Sequence, residues 1–173
     1  MSTGMKTLAE QLAATKVLVV DDETYMRKVV ATLLESIGVQ TIYEAEDGPA
    51  GLDLIQRKNP DVVILDWQMP GLDGPGFMRI VRSPSSFPYP DVPIIMLTGH
   101  GERSRVVEAL KVGVNEFLVK PVSSKSLHDR LVEVITRPRP IIWNGDYYGP
   151  APRKLSAVAK DIDQSFSNIY LLN

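Results

Sequence analysis

Five polar residues stand at the ends of short apolar runs. Asp21 and Asp22 follow "KVLVV", Asp66 follows "DVVIL", Thr98 follows "PIIML" and Lys120 follows "EFLV". If the runs are parallel strands, all five groups face one edge of a sheet, the edge outside which open α/β sheets bind their ligands. Three carboxylates in one small pocket repel each other, and a hard divalent cation bound through oxygen is the simplest relief. Mg2+ is the natural candidate, because it accepts a few carboxylates plus waters and leaves room for a phosphoryl oxygen. With no cysteine and only two histidines, His100 and His128, a softer metal such as zinc is disfavoured. Lys120 adds a point charge with rotatable donors, and Thr98 adds a hydroxyl. Cation and lysine on the equatorial oxygens, with an aspartate oxygen in line as nucleophile, is what phosphoryl transfer requires. Taken singly, each residue has a plainer reading: an aspartate after a strand often caps a helix or is solvated, and a lone lysine or threonine is surface or turn. The argument lies in the set of five in order.

The elements that must position these groups alternate. The four apolar runs above are β-branched and read as strands buried on both faces, and a weaker run at Gln40 to Ala45 reads as a fifth. Between them Met26, Val30, Leu33, Leu34 and Ile37, then Val106, Val107, Leu110 and Val114, then Leu127, Leu131, Val134 and Ile135 recur at helical spacing. Gly48 to Lys58 and Asp73 to Arg82 fill the two remaining gaps as shorter helices. In the latter, Pro75 suits a first turn and Gly76 does not, so an irregular start is expected. The pattern predicts a doubly wound α/β domain at 16–136, a (βα)5 three-layer sandwich on a parallel five-stranded sheet.

The quoted motifs carry a resemblance. "LVVDDE", "VILDWQMPGLDG", "IIMLTGHG" and "FLVKPV", in this order and on these elements, resemble the receiver domain of two-component response regulators, the CheY-like family. The resemblance implies the flavodoxin-like strand order 2-1-3-4-5. It implies that Asp66 accepts a phosphoryl group from a phosphohistidine of a sensor kinase or histidine phosphotransfer protein. Asp22 and Asp66 would ligate Mg2+, with Asp21 assisting through water and the backbone carbonyl of Gln68 completing the protein ligands. Lys120 would pair with Asp66 and then with the phosphoryl group, Thr98 would swing toward it, and Phe117 would be the aromatic switch. The Lys120-Pro121 bond is expected to be cis. Phosphorylation adds about −1.5 to −2 charge at one strand end, and the surface from the fourth to the fifth helix of the (βα)5 unit, about Gly101 to Thr136, would report it to a partner. Gln68 and His100 are placed to tune slow self-dephosphorylation.

Other functions on the same architecture are a Mg2+-dependent phosphohydrolase and a degenerate receiver acting as a scaffold. The first wants a carboxylate two residues after the nucleophile, where Gln68 stands; the second fits poorly with an intact five-residue set. A P-loop is excluded by the absence of its motif.

Length and composition bound the rest. A chain of 173 residues suits one domain with a substantial core, and 44% hydrophobic against 23% charged residues argues against disorder. A formal charge of −2 provides no global field to draw in nucleic acid or an anionic membrane. In the N-terminal extension, residues 1–15, Glu10 and Gln11 interrupt Leu8 and Leu12, which favours a short helix over a signal peptide. Apolar runs fall far short of the roughly 20 residues that span a bilayer, so a cytoplasmic protein is expected. The tail, residues 137–173, is shorter than the roughly 40 residues needed to fold independently, which leaves no room for a DNA-binding output domain. Its first half, "RPRPIIWNGDYYGPAPR", reads as an extended segment, similar to one that follows stand-alone receivers of alphaproteobacteria. Its second half sets Leu155, Val158, Ala159, Ile162, Phe166 and Ile169 at helical spacing. Tail and helix pack on their own domain or are partly disordered, or else the helix serves a partner or a homodimer, for which the fourth-helix to fifth-helix surface is the other candidate.

Overall fold

The computed structural model describes residues 4–99, 103–152 and 160–164. A short helix α1 (Leu8–Ala14) precedes β1 (Lys16–Val20), α2 (Thr24–Ser36), β2 (Thr41–Ala45), α3 (Gly48–Lys58), β3 (Val62–Asp66) and α4 (Gly74–Val81). Then come β4 (Ile94–Thr98), α5 (Arg103–Lys111), β5 (Glu116–Val119), α6 (Ser124–Thr136), β6 (Ile141–Asn144) and β7 (Tyr147–Pro150). The first five strands form one parallel sheet in the order β2-β1-β3-β4-β5.

Alternation within each strand divides the core into two layers. Leu18, Val20, Val63, Leu65, Met96 and Phe117 face one side, with Ile55 of α3, Phe77 and Met78 of α4 and Val106 of α5. Val17, Val19, Ile64, Ile95, Leu97 and Leu118 face the other, with Leu34 of α2 and Leu127 and Leu131 of α6. Leu12 of α1 joins the second layer, so the N-terminal helix is seated on the domain. Each layer takes alternate strand positions, so the two together need apolar residues at consecutive ones, which is why the strands read as unbroken aliphatic runs.

Local chemistry sets the helix ends. Asp47 caps α3 by accepting the Ala50 N–H at 2.8 Å, and Thr7 and Ser123 form capping boxes on α1 and α6. The irregular start expected of α4 is not found. Asp73 accepts the Gly76 N–H at 2.9 Å, so the glycine supplies a donor to a regular N-cap, with Pro75 in the first turn.

The segment expected to be extended folds back on itself as a hairpin. β6 and β7 pair antiparallel with Asn144 opposite Tyr147, joined by Gly145 and Asp146. Gly145 takes φ +59, the positive φ that the first position of a two-residue Gly-Asp hairpin turn demands. Trp143 and Tyr148 meet edge to face across the strands, ring centres 5.6 Å apart. Residues 160–164 are helical; Leu155, Val158, Ala159, Phe166 and Ile169 of the predicted stripe lie outside the described residues. Among the described residues, no helix is long and apolar enough to cross a membrane.

Candidate functional site

β1 and β3 are neighbours, so their C-terminal ends bring Asp21 and Asp66 side by side. Asp66 is the last residue of β3 and Thr98 the last of β4, so both are held by the sheet itself. The Asp21 N–H donates to Ala45 O at 3.1 Å, extending the β1–β2 ladder by one residue. Asp21 Oδ1 accepts the Glu23 N–H at 2.9 Å, and Arg27 donates to the Asp21 carbonyl at 2.7 Å, which fixes the turn into α2. Asp21 and Asp66 are buried, whereas Asp22 is exposed; one carboxylate oxygen from each of the three lies within 4.8 Å of the others.

This arrangement is electrostatically strained. Burial, followed by the Asp21 charge, pushes the Asp66 carboxyl up to about 7 against the attraction of Lys120. Burial also raises Asp21, partly offset by the Glu23 N–H and Lys120. Lys120 Nζ lies 3.1 Å from Asp66 Oδ1, and although burial disfavours its charge, Asp66 and Asp21 hold its pKa above the usual lysine value. The main-chain N–H of Lys120 donates to Thr98 O at 2.8 Å, and the Lys120-Pro121 bond is cis.

The loop after β3 is fixed by two hydrogen bonds, Trp67 N–H to Leu97 O at 3.1 Å and Gly74 N–H to Trp67 O at 3.0 Å. Trp67 is buried beside Asp66, its ring so close to Gly74 that a Cβ there would stand 2.3 Å from it. Gln68 is exposed on this loop. Phe117 is buried in the layer that holds Met96 and Val106, away from the carboxylates. His128 is on α6 and 3.7 Å from Asp129, not at the carboxylates; His100 lies outside the described residues.

The donor set fits a hard divalent cation. Asp21 Oδ2 is buried and accepts no hydrogen bond from the described residues, an orphaned anionic oxygen facing two further carboxylates. Such an oxygen is costly unless a cation or proton satisfies it.

Three supporting side chains had no signal in the sequence. Arg27 clasps the Asp21 carbonyl while its Nε lies 3.3 Å from Glu44 on β2. Arg130 of α6 lays its guanidinium 5.2 Å from the Phe117 ring centre and 3.4 Å from the buried Glu116. Arg82 is buried and directs five N–H bonds at Gly113 O (twice), Pro90 O, Val92 O and Asn115 Oδ1. The i+4 spacing of helices cannot reveal such partners, which lie on a strand or loop outside the helix that carries each arginine.

A parallel sheet with a carboxylate pocket and a lysine at its C-terminal edge is the architecture of phosphorylation-controlled signalling domains, and comparison with known proteins gives the family. Residues 17–132 match the response regulator receiver domain, and the chain belongs to that family. It is 33% identical over 122 residues to chemotaxis protein CheY-3 of Vibrio cholerae, covering 70% of this chain and 92% of the relative. It is 40% identical over 122 residues to a CheY homolog of Campylobacter jejuni, covering 69% and 92%. Among solved structures, V. cholerae CheY4 aligns with TM-score 0.62 at 34% identity, covering 69% of this chain and 98% of that one. The receiver domain of NtrX from Brucella abortus aligns with TM-score 0.65 at 29% identity, covering 70% and 99%. The chain is therefore a CheY-like receiver of two-component signalling, a family of phosphoacceptors that interact with histidine kinases and downstream targets. The family binds a divalent metal through its acidic pocket, which here is Asp21, Asp22 and Asp66.

Proposed function

We propose that this protein is a phospho-switch in which Asp66 accepts a phosphoryl group from a phosphohistidine of a sensor kinase or phosphotransfer protein. The observation that carries the reading is the placement of the Asp66 carboxylate 3.1 Å from Lys120 Nζ, with oxygens of Asp21 and Asp22 within 4.8 Å. An Asp66 oxygen attacks phosphorus, the P–N bond breaks, and the electron pair leaves with the imidazole of the donor histidine. Lys120 moves its charge from the carboxylate to the phosphoryl oxygens, and Thr98, ending the strand between those of Asp66 and Lys120, supplies a hydroxyl to the same oxygens.

Asp21, Asp22 and Asp66, with the main-chain carbonyl of Gln68, would hold the cation, and an all-oxygen donor set favours Mg2+. When bound, it supplies positive charge that neutralises both the carboxylates and the incoming phosphoryl oxygens. The tightened turn of Arg27 on the Asp21 carbonyl keeps the carboxylates from relaxing apart.

The output is a change of surface. Thr98 and Phe117 lie on adjacent strands, and Arg130 covers the Phe117 ring, so a movement of Thr98 toward a phosphoryl group repacks β5 against α5 and α6. The α5–β5–α6 face is then what a partner protein reads. The phosphohydrolase alternative is disfavoured because Gln68, not a carboxylate, stands two residues after Asp66; slow self-dephosphorylation remains part of the switch. We place this activity in the cytoplasm, where phosphohistidine donors act.

The direct test is chemical. Incubation with acetyl phosphate and Mg2+ should yield one base-labile phosphoryl group, and borohydride, which reduces the acyl phosphate and releases phosphate, should leave a homoserine product on the peptide containing Asp66. Its recovery on another residue, or in an Asp66→Asn variant, contradicts the assignment.

A further inference from the structure

Ile162, in the helical stretch 160–164, is only 6% exposed and belongs to the same apolar layer as Phe117, Val106 and Ala109. The residues on either side of it reach the two helices that border β5. Asp163 pairs with Arg103 at the start of α5, at 3.1 Å, and Asp161 lies 4.0 Å from Arg130 of α6. An apolar side chain between two acidic ones, bridging cations on two different helices, places this stretch astride the α5–β5–α6 face. Arg130 is the guanidinium that covers the Phe117 ring, so the tail touches the side chain next to the switch aromatic.

The nearer end of the tail is also anchored. Arg139 donates to the main-chain carbonyl of Asn115, just before β5, and the Tyr148 hydroxyl donates to Asp91 in the loop before β4. Arg139 donates as well to Ala151 O at 2.9 Å. The chain thus holds the domain at the N-terminal ends of β4 and β5, and again through Ile162 between α5 and α6.

We propose that the helical stretch 160–164 is an intramolecular cover of the α5–β5–α6 face, seated through Ile162 and steered by Asp161 and Asp163, which a partner protein must displace. This rests on the reading of that face as the output surface and deepens it: access is governed by the chain's own tail as well as by phosphorylation. The Arg103–Asp163 pair is exposed and the half-buried Arg130–Asp161 pair is long at 4.0 Å, so both fix direction more than strength and the buried isoleucine supplies most of the seat.

The test is hydrogen exchange on the full chain carrying Ile162→Glu, with Ile162→Ala as a milder variant, in the absence of phosphodonor and divalent cation. Amides of α5 and β5 should exchange about tenfold faster in Ile162→Glu than in the wild type, on the scale expected for one lost buried aliphatic side chain, while β1 and β3 remain unchanged. Ile162→Ala should fall between. Adding a synthetic peptide of residues 153–173 at millimolar concentration should restore protection in Ile162→Glu and leave the wild type unaltered. Equal exchange in wild type and variants, or failure of the peptide to restore protection, overturns the proposal. Protection in the wild type that is lost on dilution overturns it too, since the covering tail would then belong to a second copy. Phosphoryl transfer plays no part in this readout, so an error in the assignment of Asp66 leaves it unmoved.

Discussion

Lys120 Nζ reaches Asp66 Oδ1 at 3.1 Å across a strand, because β4 lies between β3 and β5 in the sheet. The lysine is thus a countercharge delivered over the end of β4, above Thr98. It does not neutralise the pocket: three carboxylates converge on it and burial still raises Asp66 to about 7. The pocket is built to be unstable until positive charge arrives.

Without divalent cation, the folded chain should lose stability as pH rises toward neutrality. Asp66 titrates near 7 when folded against the ordinary 3.8, so folding favours its protonated form. Its contribution is fully present below about pH 3.8 and is lost as pH rises through about 7. Asp66→Asn should therefore be more stable than wild type at pH 8 by about 1–3 kcal/mol, with the difference shrinking toward pH 4. Urea unfolding of both proteins across this range measures it. Saturating Mg2+ should remove most of the difference by stabilising the wild type through mass action.

Lys120→Met should separate charge acceptance from cation binding. Loss of the ammonium leaves the phosphoryl oxygens short of one countercharge, and phosphorylation by acetyl phosphate should slow by about 100-fold. Cation affinity should stay equal or rise, because a neighbouring positive charge has gone. Rate and affinity falling together would indicate a collapsed pocket instead.

Gly74→Ala should disturb the acceptor loop without touching a carboxylate. The added Cβ would stand 2.3 Å from the Trp67 ring, forcing the indole out of place at a cost of about 1–3 kcal/mol. A red-shifted Trp67 emission together with a lower urea midpoint is the expected pair of results.

Arg82→Lys should be as damaging as many core truncations. Burial lowers the guanidinium to about 10, still charged at neutral pH, and an ammonium offers three donors where five are in use. The uncovered carbonyls of Pro90, Val92 and Gly113 should cost about 2–4 kcal/mol, read by urea unfolding.

These residues also mark how far sequence reasoning reaches. The strands are legible because two-sided burial writes itself as aliphatic runs such as Val62 to Leu65, and α3 is legible because Asp47, Pro49 and Asn59 punctuate it. Asp21, Asp22, Asp66, Thr98 and Lys120 could be gathered into one pocket because a parallel sheet sends every strand end to the same edge. The hairpin of β6 and β7 is obscured by its prolines, although Gly145-Asp146 is a two-residue turn signal within it. Arg82 reads as one more helix cation, since its partners Gly113 and Asn115 lie on another loop; Arg130 over Phe117 is hidden because its partner lies on β5, outside the helix. Ile162 was legible as part of an amphipathic stripe, but not what that stripe would cover.

The central claim is that Asp66 is the group whose modification the protein reports, and Trp67, buried beside it, provides the signal. The exposed Trp143 is first replaced by phenylalanine to remove its background. Titration with Mg2+ and then beryllofluoride, a phosphoryl mimic, should change Trp67 emission in two successive saturable steps. In Asp66→Asn the second step should vanish. An identical beryllofluoride response in both proteins would contradict the account.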